Sequence, residues 1–169
     1  MIVLVLGGTR SGKSGVAEAI AGTLGPKVTY VATAAVDPND PDHAARVAAH
    51  QSRRPPGWST TECEGPDDLP RLLRETGDPV VVDSLGTWVT QHPEMEVDPG
   101  DLLAALSDRT APTVIVSEEV GLAVHPPSEL GRRFVDVLGV LNQQVAAVAD
   151  QVLLVVAGRA LELPPADGK

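Results

Sequence analysis

Solid apolar runs, rather than alternating ones, organise this chain. Residues 2–6 read Ile-Val-Leu-Val-Leu, 28–33 Val-Thr-Tyr-Val-Ala-Thr, 79–83 Pro-Val-Val-Val-Asp, 113–118 Thr-Val-Ile-Val-Ser-Glu and 151–157 Gln-Val-Leu-Leu-Val-Val-Ala. Unbroken aliphatic and β-branched runs of this length predict strands covered on both faces, as in a parallel sheet. Shorter strands are expected at 59–63 and 160–163. Helices are expected between them. One spans 13–24 and is closed by Gly25; another spans 41–52, with Asp40 as N-cap ahead of Pro41 and Pro55-Pro56-Gly57 as its stop. Further helices are expected over 67–76, closed by Gly77, over 98–109, and over 128–149, the longest. This alternation predicts an α/β fold, a three-layer sandwich of a mostly parallel sheet with helices on both faces. No repeat or linker divides the chain, so residues 1–169 are expected to form one domain, and 91–100 is the best candidate for a mobile loop.

The turn after the first strand carries the strongest chemistry. Gly7-Gly8-Thr9-Arg10-Ser11-Gly12-Lys13-Ser14 is a complete G-x-x-x-x-G-K-[ST] phosphate-binding loop between a strand and a helix. Its glycines let backbone N–H groups turn inward around phosphate oxygens. Lys13 would reach the β- and γ-phosphates, the Ser14 hydroxyl would ligate Mg²⁺, and the helix N-terminus would add its positive dipole. The expected class is a P-loop NTPase, RecA-like. Asp83, closing an apolar strand, resembles the second carboxylate motif of such enzymes and would hold Mg²⁺ with Ser14. Ligands of open parallel sheets sit at the carboxyl ends of the strands. That rule gathers the Gly loop, Thr33, Asp83 and Glu118-Glu119 onto one edge.

Composition narrows the partners. With 169 residues, 43% of them hydrophobic, the chain can bury a proper core. A net charge of −10 argues against nucleic acid or an anionic membrane as the main partner. Arg10, Lys13, Arg46, Arg53 and Arg54 nevertheless collect near the expected phosphate site. The single cysteine, Cys63, excludes an internal disulfide and any Cys-based zinc site, and suits a reducing compartment. The N-terminal apolar run is too short for a signal peptide or a membrane span, so a cytoplasmic location is expected. No histidine pair has zinc-like spacing.

Arg46, His50 and Arg54 fall at i, i+4 and i+8 and begin on one helical face. The neighbouring cations disfavour imidazolium, so His50 should be largely neutral near pH 7. Spacing alone leaves two readings, a solvated surface histidine or a nucleophile, base or ligand. Glu62, Glu118 and Glu119, near strand ends, suit ribose hydroxyls, a metal, a substrate amine or simple solvation. Trp58 and Trp88 suit either packing or base stacking.

Taken together, these residues resemble one family, the bifunctional adenosylcobinamide kinase/adenosylcobinamide-phosphate guanylyltransferases of cobalamin biosynthesis. The likeness covers nearly the whole chain. Beside the Gly loop it includes Tyr30-Val31-Ala32-Thr33, and Arg46-Val47-x-x-His50 followed by Arg54-Pro55-x-x-Trp58-x-Thr60-x-Glu62. It also includes Val82-Asp83-Ser84-Leu85-x-Thr87-Trp88, Glu119-Val120-Gly121-Leu122, and Arg132-Arg133-Phe134-x-Asp136-x-x-Gly139-x-x-Asn142-Gln143. The chain departs from the pattern at Ala123, where Gly is common, and at Ser84, where Cys is frequent.

The resemblance implies two reactions. The γ-phosphate of ATP or GTP passes to the aminopropanol hydroxyl of adenosylcobinamide. GTP then guanylylates a histidine, and the GMP moves to adenosylcobinamide phosphate to give adenosyl-GDP-cobinamide. It implies His50 as that histidine, and nucleotide contacts from Val31, Ala32, Thr33, Gln51, Ser52, Arg53, Arg54, Glu62 and Asp83. It also implies a homo-oligomer, for which a trimer is one plausible form. Two rival readings stand beside it: a monofunctional P-loop small-metabolite kinase in which His50 is irrelevant, and a non-enzymatic nucleotide switch. The Arg46–Arg54 cluster has no evident role in the switch.

Overall fold

A computed structural model of the chain describes residues 1–34 and 54–166. The expected helix over 41–52, with His43, Arg46, His50, Gln51 and Ser52, and Arg53 after it lie outside the described residues. Seven strands form one sheet: β1 (Ile2–Gly7), β2 (Val28–Ala32), β3 (Trp58–Glu62), β4 (Val80–Asp83), β5 (Thr113–Glu118), β6 (Gln151–Val156) and β7 (Arg159–Glu162). Five described helices accompany them: α1 (Lys13–Gly22), α2 (Asp68–Glu75), α3 (Leu85–Thr90), α4 (Gly100–Asp108) and α5 (Glu129–Val148). The strand order is β3-β2-β4-β5-β1-β6-β7, parallel throughout except for the final hairpin partner β7.

Side-chain alternation along the strands separates two cores. Val3, Val5, Val28, Tyr30, Val81, Val114, Val116, Leu153 and Val155 meet Ala17 and Ala21 of α1 on one face. Ile2, Leu4, Val31, Val80, Val82 and Ile115 meet α2, α3, α4 and α5 on the other. The solid apolar runs are thus explained: both faces of each central strand are covered, which is the expected three-layer arrangement. Among the described residues no helix is long and apolar enough to cross a membrane.

Several boundaries differ from expectation for local reasons. α4 begins at Gly100 rather than at 98, because the Asp98 carboxylate accepts the Gly100 N–H at 3.0 Å in a turn that precedes the helix. α5 begins one residue after Ser128, whose hydroxyl accepts the Gly131 N–H at 3.1 Å as an N-cap. Residues 91–100 contain a short 3₁₀ turn, Pro93–Met95.

Helix α3 was not expected at all. Its Gly86, Thr87, Val89 and Thr90 are poor helix formers, so propensity gives no signal. A capping box between Ser84 and Thr87 and the burial of Leu85, Trp88 and Val89 supply what propensity lacks.

Trp88 settles one expectation: it is 1% exposed in the α2–α5 core, and its indole N–H donates to the Pro66 carbonyl at 2.9 Å. It packs and is not accessible for base stacking. Trp58 is half-buried against the α1 face. Replacing Trp88 with Ala should destabilise the fold by about 3–5 kcal/mol, the usual cost of deleting a large buried aromatic. Chemical denaturation of the two proteins measures this; a loss below about 1 kcal/mol would contradict its place in the core.

Candidate nucleotide site

The strand register assembles the site at one sheet edge. Gly7 of β1 pairs with Glu118 of β5, and Asp83 of β4 with Val116 of β5 and Ala32 of β2. β5 therefore lies between the strand that feeds the Gly loop and the strand that ends in Asp83. Lys13 opens α1; its own N–H donates to Ser11 Oγ at 3.3 Å, and the first bond along the helix is from the Val16 N–H to the Gly12 carbonyl at 3.1 Å, which leaves the Ser14 and Gly15 N–H groups ahead of it.

Two glycines are required by the loop's shape. Gly12 holds φ +93°, where a side chain is strained. A Cβ on Gly7 would come within 2.4 Å of the Ser11 hydroxyl and 2.9 Å of the Val155 carbonyl. The loop is braced by the β6–β7 hairpin, whose two strands were expected but whose contact with the loop was not. Ala157 and Gly158 both have positive φ, as a two-residue type I′ turn demands. The Gly158 N–H donates to the Ser11 carbonyl at 2.7 Å. A cavity of about 370 Å³ opens beside the loop, lined among others by Arg10, Glu119, Leu122 and Val156.

Lys13 turns back toward its own loop and β5. Its Nζ lies 3.4 Å from the Gly8 carbonyl and 3.5 Å from Glu118 Oε1. Glu118 also accepts the Ser84 hydroxyl (3.0 and 3.1 Å) and the Gly86 N–H (3.1 Å). Gly86 makes room for it: a Cβ there would stand 2.0 Å from Glu118 Oε2. Asn142 of α5 ties down the strand behind it, donating to the Glu118 carbonyl at 2.9 Å and accepting the Ser117 hydroxyl at 2.6 Å. Sequence reasoning placed Glu118 on this edge but left it open among ribose hydroxyls, a metal, a substrate amine and simple solvation. Its partners Lys13, Ser84 and Gly86 come from separate segments, and no local pattern records their meeting.

Asp83 accepts a hydrogen bond from the Tyr30 hydroxyl at 2.5 Å. Burial, and then the adjacent Asp83 carboxylate, push the Tyr30 phenol well above its ordinary pKa, so it remains a donor at all relevant pH. The Arg54 guanidinium lies over the Tyr30 ring, 3.4 Å from its centroid, and donates to Thr60 Oγ1 at 2.7 Å.

Other expected contacts fall less openly. Thr9 and Arg10 are exposed, Ser14 is half-buried, and Glu62 is exposed at the end of β3. The Val31 side chain lies wholly in the core, and Ala32 is half-buried. The buried Thr33 hydroxyl donates to the Ser84 carbonyl at 2.7 Å and meets Thr87. Glu119 closes its own loop, accepting the Gly121 and Leu122 N–H groups at 2.7 and 3.1 Å. Cys63 is buried, and burial pushes its thiol up to about 11, so it is protonated near neutral pH.

The donor set fits Mg²⁺. Ser14 and Asp83 are hard oxygen donors, and no group of three or more His, Cys, Asp or Glu that could hold a metal occurs among the described residues. Mg²⁺ is ordinarily held by one or two protein oxygens together with substrate phosphates and water, rather than by an all-protein cage.

Comparisons with known proteins agree with this geometry. Over 96% of the chain, the fold matches the flagellar accessory protein FlaH of Methanocaldococcus jannaschii, covering 77% of that protein with a TM-score of 0.53 at 15% identity. It also matches an ATPase of a bacterial type III secretion system (TM-score 0.51, 12% identity, 95% of this chain and 56% of that one). At such identities these likenesses bear on the fold, that of P-loop NTPases. Sequence relatives are nearer. The chain is 38% identical to the bifunctional adenosylcobalamin biosynthesis protein CobP of Pseudomonas aeruginosa, over 95% of both chains. It is 38% identical to CobU of Salmonella typhimurium, over 94% of this chain and 97% of that one. The model of the CobU family, described as cobinamide kinase/cobinamide phosphate guanyltransferase, matches residues 3–163. From the Gly loop to the β6–β7 hairpin that braces it, the chain belongs to the cobinamide kinase/cobinamide phosphate guanyltransferase family.

Proposed function

We propose that this protein is a bifunctional transferase of cobalamin biosynthesis, acting on adenosylcobinamide and then on its phosphate. The observation that carries the reading is the family match over residues 3–163, which contains the phosphate loop, Asp83 and His50 together.

In the first reaction the aminopropanol hydroxyl of adenosylcobinamide attacks the γ-phosphorus of ATP or GTP. The bond to the β,γ-bridging oxygen breaks, the nucleoside diphosphate leaves, and the hydroxyl proton is lost. Such transfers need positioning and charge neutralisation more than covalent machinery. Here Lys13 and the loop N–H groups would cradle the phosphates, with Arg10, Arg53 and Arg54 adding charge. Ser14 and Asp83 would hold Mg²⁺, which supplies charge neutralisation at the phosphates when bound.

In the second reaction a ring nitrogen of neutral His50 attacks the α-phosphorus of GTP, and pyrophosphate leaves. A phosphate oxygen of adenosylcobinamide phosphate then attacks the same phosphorus. The N–P bond breaks, His50 is restored, and adenosyl-GDP-cobinamide is formed. Covalent catalysis of this kind divides one difficult substitution into two easier ones. Val31, Ala32, Thr33, Gln51, Ser52 and Glu62 complete the proposed nucleotide contacts.

The homo-oligomer implied by the resemblance, for which a trimer is one plausible form, and a cytoplasmic location belong to the same proposal. Exposed Leu130 and Val140 on α5 support association.

The test supplies Mg²⁺, GTP and adenosylcobinamide and follows the corrinoid chromatographically. Successive formation of its phosphate and of the GDP derivative, with pyrophosphate released in the second step, is expected. GTP consumption with the corrinoid unchanged would overturn the proposal.

A further inference from the structure

Tyr30 is the only tyrosine in a chain whose aromatic content is 2%. It stands on β2 with its ring 3% exposed among Val28, Val81 and the α1 face. For packing alone, Phe would fill the same space. A buried hydroxyl is costly unless it is hydrogen-bonded, so its presence here points to its partner. That partner is Asp83 Oδ2, at 2.5 Å. Tyr30 and Asp83 lie on neighbouring paired strands, and by alternation both face the α1 side of the sheet. The same ring carries the Arg54 guanidinium on its face. The Arg54 Nε is buried and has no hydrogen-bond partner among the described residues. The guanidinium is thus held by the face of this ring and by the Thr60 hydroxyl, which accepts from its Nη1 at 2.7 Å.

We propose that Tyr30 is a positioning residue for the cation site: its hydroxyl fixes the Asp83 carboxylate through Oδ2 and leaves Oδ1 for Mg²⁺, while its ring seats Arg54 alongside. The proposal rests on the reading of Ser14 and Asp83 as the magnesium ligands. Groups that orient a metal's ligands ordinarily affect metal affinity on the scale of 10- to 100-fold. Among the described residues only one of the two carboxylate oxygens is held, so the lower end of that range applies. Tyr30→Phe retains the ring and its contact with Arg54, so it removes the hydroxyl bond alone.

The decisive experiment is a calorimetric titration with a GTP analogue carrying a non-cleavable α,β-methylene bridge, so that no turnover is needed. Affinity is measured in EDTA and over a series of Mg²⁺ concentrations. For Tyr30→Phe the half-saturating Mg²⁺ concentration should rise about tenfold, while affinity in EDTA stays within about twofold of wild type. In an Asp83→Asn background the same substitution should produce no further change, since the two groups act as one unit. Three results would overturn the proposal: an unchanged Mg²⁺ dependence, an equal loss of affinity in EDTA, or full additivity with Asp83→Asn. A wild-type protein whose analogue binding ignores Mg²⁺ would instead overturn the assignment of Ser14 and Asp83 as cation ligands. The two failures are thereby told apart.

Discussion

Lys13→Ala should abolish both phosphoryl and guanylyl transfer, lowering each by at least about a hundredfold, the scale on which loss of one preorganised electrostatic partner is felt. The expectation follows from there being one phosphate loop among the described residues and one cation at its end. That cation rests between the Gly8 carbonyl and Glu118. An entering nucleotide would offer it phosphate oxygens in exchange. The fold should tolerate the change. Ala is a good helix former at the first residue of α1, and Glu118 keeps its bonds from Ser84 and Gly86. Thermal unfolding checks this, and steady-state rates of both half-reactions check the rest. Retention of either reaction near the wild-type rate would mean that two phosphate sites exist.

His50→Ala should divide the two activities instead. Guanylyl transfer should fall below about one-thousandth of wild type, as loss of a covalent nucleophile requires. Kinase activity should persist in part, because γ-phosphoryl transfer uses the loop, the cation site and the acceptor hydroxyl, none of which His50 provides. Equal loss of both activities would make His50 a structural residue. Loss of neither would show that guanylyl transfer does not pass through His50.

The parts legible in sequence were those written locally. A phosphate loop is eight consecutive residues between a strand and a helix, so no long-range information is needed. Asp83 closes an apolar strand and announces itself in the same way. The five central strands were legible because burial on both faces leaves no room for polar positions. What was not legible depends on residues distant in the chain. The insertion of β5 between β1 and β4 decides which carboxylates flank the loop, and no local pattern records strand order. The pairing of Lys13 with Glu118 joins positions 105 apart in sequence and depends on Gly86 lacking a Cβ. The hairpin turn at Ala157-Gly158 braces Ser11 through a single hydrogen bond that neither segment reveals alone. Trp88 shows the same limit from the opposite side. An aromatic near a ligand edge reads equally as a stacking platform or as core, and only its burial decides.

The central claim is that one loop serves a guanylyl-histidine enzyme, and labelling tests it most directly. The protein is incubated with Mg²⁺ and GTP labelled at the α-phosphorus, then denatured, with γ-labelled GTP and His50→Ala run alongside. The account predicts an acid-labile, base-stable adduct carrying the α-label only and absent from His50→Ala. No adduct, under conditions where the nucleotide demonstrably binds, or an adduct that survives the substitution, would contradict it.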